Sequence, residues 1–464
     1  MVDTAQVQLN GSLAGALAAD LSDIRFADLS QQTQERARLV LLDTVGAMLA
    51  GAAYGRSAHI VRDTMRALGE SGPATVVGEG LKMSAPSAAL CNGISAHALD
   101  LDDSHRFAAG YHPGATVIPA VLAVAEQERA GISAVLEGIV VGYEVGGRIG
   151  RAINPSHRYR GFHSTGTVGV LGAAAGAARM LRLGPHETAM ALAVAASMAG
   201  GVFAFLNGLH PTKHLHAGHA AQAGVLAALL ARNGFTGPED VLEGPEGFFR
   251  AYSDEVRPEV VTEGLGARTE ILSNYFKPYT ACGHGFTAIE AALDLRRRGV
   301  EASQIVAVEV ATYRAASVLR NAEPQTFQEG QFSIPFLVSL CLHHGVVSID
   351  SVRSGLSDTS VLALAGRTRV TEEPSFTDAF PARRPTEVVV RLADGSSLSA
   401  VAESAAGMPE RPLTSEQVTR KFTDLASPLL TSGAAAEIVE TVGSDATSVD
   451  GLLRHRVTTH EVIA

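Results

Sequence analysis

The sequence predicts a mainly α fold: a large all-α domain built from both chain ends, with a smaller α+β unit between them. Three observations predict it. Up to about residue 250 the chain reads as helix after helix. Near residue 270 alternating segments and a hairpin signal replace that pattern. Beyond residue 405 helical patterning returns, so the C-terminus is expected to pack back on the first domain. The boundaries read from these changes are 1–273 for the first helical part, 274–404 for the α+β unit and 405–464 for the second helical part.

The elements follow in order. Residues 34–50 place Ala37, Val40, Leu41, Thr44, Val45, Met48 and Leu49 on one helical stripe. Pro119 ahead of AVLAVAEQER reads as a helix with proline in its first turn. Residues 167–182 and 186–199 are Ala-rich helices split by Leu183-Gly184-Pro185, and 219–232 is a helix closed by Asn233-Gly234. In the second unit 286–298 is a helix stopped by Gly299, 305–312 alternates as a strand, and 333–343 reads as a buried helix. Residues 386–392 and 397–401 flank Asp394-Gly395, a strong hairpin turn. Residues 415–430 and 434–442 return to helix.

Composition narrows the class. Apolar residues make up 46% of the 464, with many Ala and Gly and no Trp, which suits tightly packed helices with small contact residues. A net charge of −11 argues against a nucleic-acid partner, which would call for a basic face. Three cysteines, Cys91, Cys282 and Cys341, form no CxxC pair and no disulfide framework, so a reducing cytosol is expected. The first residues, MVDTAQVQLNGSLAG, lack a basic leader, and no apolar run approaches the ~20 residues that span a bilayer. The chain is therefore expected to be cytoplasmic and free of membrane contact.

Charge is unevenly placed. From Val145 to Pro238 eight positive residues (Arg148, Arg151, Arg158, Arg160, Arg179, Arg182, Lys213 and Arg232) face a single acid, Glu187. The same window holds His157, His163, His186, His210, His214, His216 and His219. A basic, imidazole-rich stretch in an acidic protein predicts an anion pocket with groups that move protons near neutrality.

Three clusters could carry chemistry. Lysine is rare: Lys82, Lys213, Lys277 and Lys421 stand against 33 arginines. Lys213 in HPTKHLHAGHA and Lys277 in NYFKPYTACGHG lie in polar, turn-rich segments, whereas Lys82 and Lys421 read as surface charge. A lysine ammonium is a compact donor for a carboxylate. In AHALDLDDSHRFAAGYHPG, Asp100, Asp102 and Asp103 precede His105 and His112, and a carboxylate beside an imidazole suits acid–base work. In RYRGFHSTGTVG, His163 follows Arg158 and Arg160. Gly166, Gly169, Gly172 and Gly176 follow no strand and lack the GxGxxG spacing, so close helix packing explains them better than a nucleotide loop. The helix start at Ser164-Thr165 could hold an anion on free N–H groups. Histidines at 210, 214, 216 and 219 invite a zinc reading, but no acid or thiol lies nearby and Lys213 would repel a cation, so no metal is expected.

NGISAHALDLDDSH with YHPGATVIPA, GFHSTGTVG, TKHLHAGHAAQAG and FKPYTACGHG, in this order over about residues 10–430, resemble the MmgE/PrpD family. That family includes 2-methylcitrate dehydratase, cis-aconitate decarboxylase and iminodisuccinate epimerase. The resemblance implies an all-α domain with a smaller α+β lid, a homodimer, no metal or organic cofactor, and small di- or tricarboxylates bound between the domains. By motif it implies catalytic roles for Asp100, His112, His163, Lys213 and Lys277. Ser104, where threonine is common, matches a polar position of the first cluster. The decarboxylase branch has a histidine five residues after the lid lysine; here that position is Cys282, with His284 two further on. Tyr313 matches a lid tyrosine used in that branch. Ser104, Cys282, His284, Arg160 and Tyr313 are thus the expected binding residues.

The expected activity is removal of a proton next to a carboxylate, with loss of water as the leading outcome. Lys213, Lys277 and nearby arginines would hold carboxylates, His112 and His163 would serve as acid and base, Asp100 would orient an imidazole, and Ser104 would donate a hydrogen bond. A histidine base predicts a pH limb around 6–7. Epimerisation, decarboxylation and simple carboxylate binding are the alternatives.

Overall fold

The computed structural model describes residues 11–267 and 269–458. The first ten residues, where the sequence shows no basic leader, lie outside the described residues.

The helical body is formed by α1 (Leu13–Ser22), α2 (Gln31–Tyr54), α3 (Ala85–His97), α4 (Pro113–Glu128), α5 (Ile132–Ile153), α6 (Ser164–Met180), α7 (Pro185–Ser197) and α8 (Thr212–Arg232). α6 packs on α4, α5 and α8, and α8 packs on α3. Small residues make these contacts close. A Cβ on Gly93 would stand 2.8 Å from the Gly218 Cα, so α3 and α8 meet backbone to backbone. On α6, added Cβ atoms at Gly169, Gly172 and Gly176 would stand 2.8 Å from Thr116, 2.6 Å from the Tyr111 hydroxyl and 2.8 Å from Val121. Helix packing thus accounts for the glycine run.

The chain then makes a two-residue bridge back to the body. β1 (Ser104–His105) pairs antiparallel with β2 (Asn274–Tyr275), Ser104 opposite Tyr275 and His105 opposite Asn274. Beyond it come α9 (Phe286–Arg297), β3 (Ile305–Thr312), α10 (Ile334–His344), β4 (Thr368–Glu372), β5 (Thr386–Leu392) and β6 (Ser397–Ala402). The four strands form one sheet in the order β4-β3-β5-β6, with β3 and β4 parallel and the other pairs antiparallel. Val308 and Val310 of β3 are buried while Glu309 between them is exposed, as strand alternation requires, and a register shift between Ile305 and Ala307 breaks that alternation and leaves Val306 exposed. α9 covers β5 and β6 and packs on α10. Finally α11 (Ser415–Ala426) and α12 (Ala434–Gly443) pack against α2, so both chain ends share one body. The fold is mainly α with a small β part.

Local readings differ from the structure in four places. Pro119 sits inside α4, not in its first turn; Pro113 occupies that turn, and burial on every side of 115–125 sustains the helix across the proline. α8 begins at Thr212, seven residues before the expected start, because the polar run Lys213–His219 belongs to a helix whose buried neighbours are Ala and Gly. β4 carries no clear strand signal in the sequence, because only Thr368 and Val370 of its five residues are buried. α2 is long and apolar enough to cross a membrane, yet 83% of its apolar window is buried within the fold.

Candidate active site

A cavity of about 530 Å³ lies between the helical body and the sheet-bearing part. Asp100, Ser104, His112, His163 and Lys213 line it from the body, and Lys277, Cys282 and His284 from the other side.

The first wall is built by the end of α3. The helix stops at His97, and Asp100 takes a left-handed conformation (φ 55°), which Asp tolerates better than most side chains. The Leu99 carbonyl before it accepts from Thr280 Oγ1 at 2.7 Å and Gln331 Nε2 at 2.6 Å, which holds the turn from across the cavity. The chain then enters β1. Its pairing with β2 brings Lys277, two residues beyond Tyr275, to Asp100. Lys277 Nζ donates to Asp100 Oδ1 at 2.5 Å and Lys213 Nζ to the same oxygen at 3.1 Å. All three side chains are buried. Burial opposes the Asp100 charge, but Lys213 and Lys277 hold its carboxyl below the usual range. Burial likewise opposes the Lys277 charge, and Asp100 with Asp102 more than offsets it, so this ammonium is kept charged.

The three aspartates have three separate jobs. Asp100 gathers the lysines. Asp102 accepts through Oδ2 from Nδ1 of His97 at 2.8 Å and lies 3.2 Å from Nδ1 of His112. Asp103 accepts from the Gly114 N–H, the Tyr143 hydroxyl and Asn274 Nδ2, fixing the start of α4 and tying it to β2. Burial pushes the Asp103 carboxyl up to about 7.

Histidines pack around Asp102. The His97 ring centroid lies 4.6 Å from that of His112 and 6.2 Å from that of His163. His112 Nδ1 is 2.9 Å from the Asp103 carbonyl, which can only accept, so this nitrogen carries the proton and Nε2 keeps its lone pair. His163 and His216 share a 2.9 Å Nδ1–Nδ1 contact, so one donates and the other accepts. Burial lowers all these pKa values: that of His97 to about 3, that of His112 with help from Lys277, and that of His163 with help from His216. The imidazoles are neutral at neutral pH and available as bases.

Several expected residues sit differently. Ser104 Oγ donates to the Tyr111 carbonyl at 3.1 Å, so its proton is already engaged and only its lone pairs face the cavity. Tyr313 stands behind the lining, its hydroxyl 2.8 Å from His284 Nδ1. Arg160 is not brought to the cavity: it is exposed and pairs with Asp254 at 3.2 Å. Cys282 lines the cavity as a neutral thiol, raised to about 11 by burial and Asp100. Nor is Asp100 the partner of an imidazole; Asp102 has that place. At the start of α6 the N–H groups of Thr165, Gly166 and Thr167 are taken by the Gly110 and His163 carbonyls, which leaves no open anion cradle there.

The basic window does not act as one anion pocket. Arg148 pairs with Glu144, Arg151 with Glu270, Arg179 with Glu137 and Arg232 with Glu128. These acids lie outside the window in sequence and next to it in space. Of its cations, Arg151 and Lys213 line the cavity. Lys421 also departs from expectation: it is largely buried, bonded to Asp43 Oδ1 at 2.6 Å and to the Leu101 carbonyl at 2.7 Å. Lys82 is about half exposed and pairs with Glu126.

Donor atoms of His97, His112 and His163, and of His97, Asp100, Asp102 and His112, lie within 4.8 Å of one another, a separation that could hold a metal ion. Two lysine ammonium groups already occupy Asp100, and a dication would have to displace them. The residues that sequence reasoning missed are His97, Arg106 and Arg384. His97 carried a signal, standing three and five residues before two aspartates; Arg106 and Arg384 are 278 positions apart and carried none.

Residues 15–260 match the family model of the MmgE/PrpD N-terminal domain, and residues 279–445 that of the MmgE/PrpD C-terminal domain. The chain is 28% identical to the cis-aconitate decarboxylase of Aspergillus terreus, over 91% of this chain and 90% of that one. It is 26% identical to the cis-aconitate decarboxylase of Homo sapiens, over 93% and 91%. It is 25% identical to the mitochondrial 2-methylcitrate dehydratase of Yarrowia lipolytica, over 80% and 75%. With both domain models matched in order over most of its length, the chain belongs to the MmgE/PrpD family.

Proposed function

We propose that this protein is a lyase that removes a proton from the carbon next to a carboxylate of a small di- or tricarboxylate, with loss of water. The observation that carries the reading is the placing of His112, neutral and with no hydrogen-bond partner on Nε2 among the described residues, in the same cavity as the paired ammonium groups of Lys213 and Lys277.

In this reading His112 Nε2 takes the proton, and the C–H pair forms the new double bond. The Asp102 carboxylate beside Nδ1 steadies the imidazolium that forms. Lys213 has donors left beyond its bond to Asp100, and with Lys277 it stabilises the negative charge that develops on the adjacent carboxylate. When His216 donates to His163, the His163 Nε2–H becomes the acid that protonates the departing hydroxide. Two copies are proposed to form the working unit, a reading that rests on the family.

Decarboxylation is the second reading, favoured by one observation: the hydrogen-bonded His284–Tyr313 pair beside the cavity, which supplies an imidazole and a phenol near the position held by Cys282. The names of the fungal and human relatives point the same way. Incubation with 2-methylcitrate, citrate and cis-aconitate, followed by NMR, separates the readings. An alkene formed with all carboxylates retained supports dehydration, carbon dioxide release supports the second reading, and no conversion of any of the three counts against both.

A further inference from the structure

We propose that Arg106 and Arg384 form a second carboxylate subsite in the cavity, which reads a carboxylate remote from the reacting carbon. This rests on the carboxylate reading above and deepens it, because it makes two well-separated carboxylates a requirement of the substrate.

The first observation is the charge balance of the cavity. At the catalytic end Lys213 and Lys277 are matched by Asp100 and Asp102, and the imidazoles are neutral, so that end carries little net charge. The other end is different. Arg106 and Arg384 both line the cavity, and both are buried, at 2% and 5% exposure. They are neighbours: Arg384 Nη2 donates to the Arg106 carbonyl at 3.4 Å, and the Arg384 charge lies close enough to oppose that of Arg106. Among the described residues the one acid paired with them is Glu410, 3.1 Å from Arg106 and half exposed to solvent.

The second observation is unmet donors. Nε of Arg384 and Nε and Nη1 of Arg106 are buried without a hydrogen-bond partner among the described residues. Among the described residues the Arg384 side chain makes two hydrogen bonds, each long at 3.4 Å, to the Tyr275 hydroxyl and the Arg106 carbonyl. Two buried guanidinium groups side by side with one partly solvated acid are costly unless an anion completes them. A carboxylate fits, because the planar fork of arginine binds it through two parallel hydrogen bonds.

The third observation is fixed aim. The Arg384 guanidinium lies over Tyr275 and Phe380, 5.4 and 5.8 Å from their ring centroids, and Phe380 is itself stacked on Tyr313 at 5.0 Å. Arg106 follows β1 in the body and Arg384 precedes β5 in the sheet-bearing part. An anion held by both would join the two parts over the substrate.

Calorimetric titration of the full chain with propane-1,2,3-tricarboxylate and with butyrate tests this. Wild type is expected to bind the tricarboxylate at least about tenfold more tightly than butyrate, the usual effect of charged hydrogen bonds. Arg384→Gln and Arg106→Gln should each weaken the tricarboxylate by about tenfold or more and leave butyrate within about twofold. Melting temperatures establish that the variants fold; if they do not, the wild-type preference alone decides, and equal affinity for the two ligands overturns the proposal. Folded variants that keep wild-type affinity for the tricarboxylate also overturn it. If Lys213→Ala weakens the tricarboxylate while both arginine variants do not, the carboxylate reading stands and the subsite falls. If wild type binds neither ligand, both fall.

Discussion

The ammonium groups of Lys213 and Lys277 converge on one atom, Oδ1 of Asp100, at 3.1 and 2.5 Å. Lys213 comes from the first turn of α8 and Lys277 from the strand-bearing side, so this buried triad clasps the two halves of the cavity. The lysines are therefore not free clamps awaiting a substrate; Asp100 fixes where they point.

Replacing Asp100 tests that role. Asp100→Asn should lower kcat/KM by about 100-fold or more, since two buried ammonium groups lose their common anion and their aim. Lys213→Ala and His163→Ala should each do likewise. Steady-state kinetics on folded variants checks this; losses under fivefold would show that the triad is not part of the machinery.

The pH profile should lack the limb near pH 6–7 that an ordinary histidine gives. Burial holds the pKa of His97 at about 3 and those of His112 and His163 below the usual value, so the base is neutral through the ordinary histidine range. Activity should stay level through the usual histidine range near pH 6.5 and fall only below it. Stability follows the same sign. A histidine whose folded pKa is depressed binds fewer protons in the folded state, so its contribution is fully present above the unfolded value and is lost as pH falls towards the folded one. Between about pH 6.5 and 4 the buried histidines should therefore lower the melting temperature. A limb in kcat/KM centred at 6.5 would contradict their burial as neutral groups.

Lys421→Ala should destabilise the fold by about 3 kcal/mol, the usual cost of stripping a buried carboxylate of its partner. Asp43 is buried and its second oxygen already lacks a partner, so the loss of Lys421 leaves it with none among the described residues. Lys82→Ala should change stability by less than about 1 kcal/mol, because Lys82 itself is half exposed and the buried Glu126 carboxylate keeps its bond from Thr75. Urea unfolding compares the two; equal effects would count against the distinction.

Much of this was legible before the structure, and the reason is local. The 305–312 strand and the Asp394-Gly395 turn announce themselves through side-chain alternation and a glycine with φ +86°. The lysines, the aspartates, His112 and His163 stood out because rare or titratable residues were gathered in short runs. What was not legible depends on distance. Arg106 and Arg384 look like any surface arginines until β1 and β2 pair. Lys421 reads as surface charge because Asp43 is 378 residues away. The surplus of arginines in the basic window shrinks once acids from outside it pair with Arg148, Arg151, Arg160, Arg179 and Arg232. Polar runs mislead when buried helices contain them, as with the start of α8.

Activity should survive EDTA, and elemental analysis should find less than about 0.1 metal ion per chain, because two ammonium groups stand where a dication would bind. One zinc or iron per chain would instead assign the His97, His112 and His163 donors to a metal.

Proton abstraction by His112 is tested most directly by proton NMR of 2-methylcitrate, citrate and cis-aconitate with the enzyme in deuterium oxide, with wild type and His112→Gln side by side. Wild type should convert at least one of the three with loss of a proton signal next to a carboxylate, and His112→Gln, folded by its melting curve, should do so at least about 100-fold more slowly. Conversion by His112→Gln at the wild-type rate, or no conversion and no exchange by wild type, would contradict it.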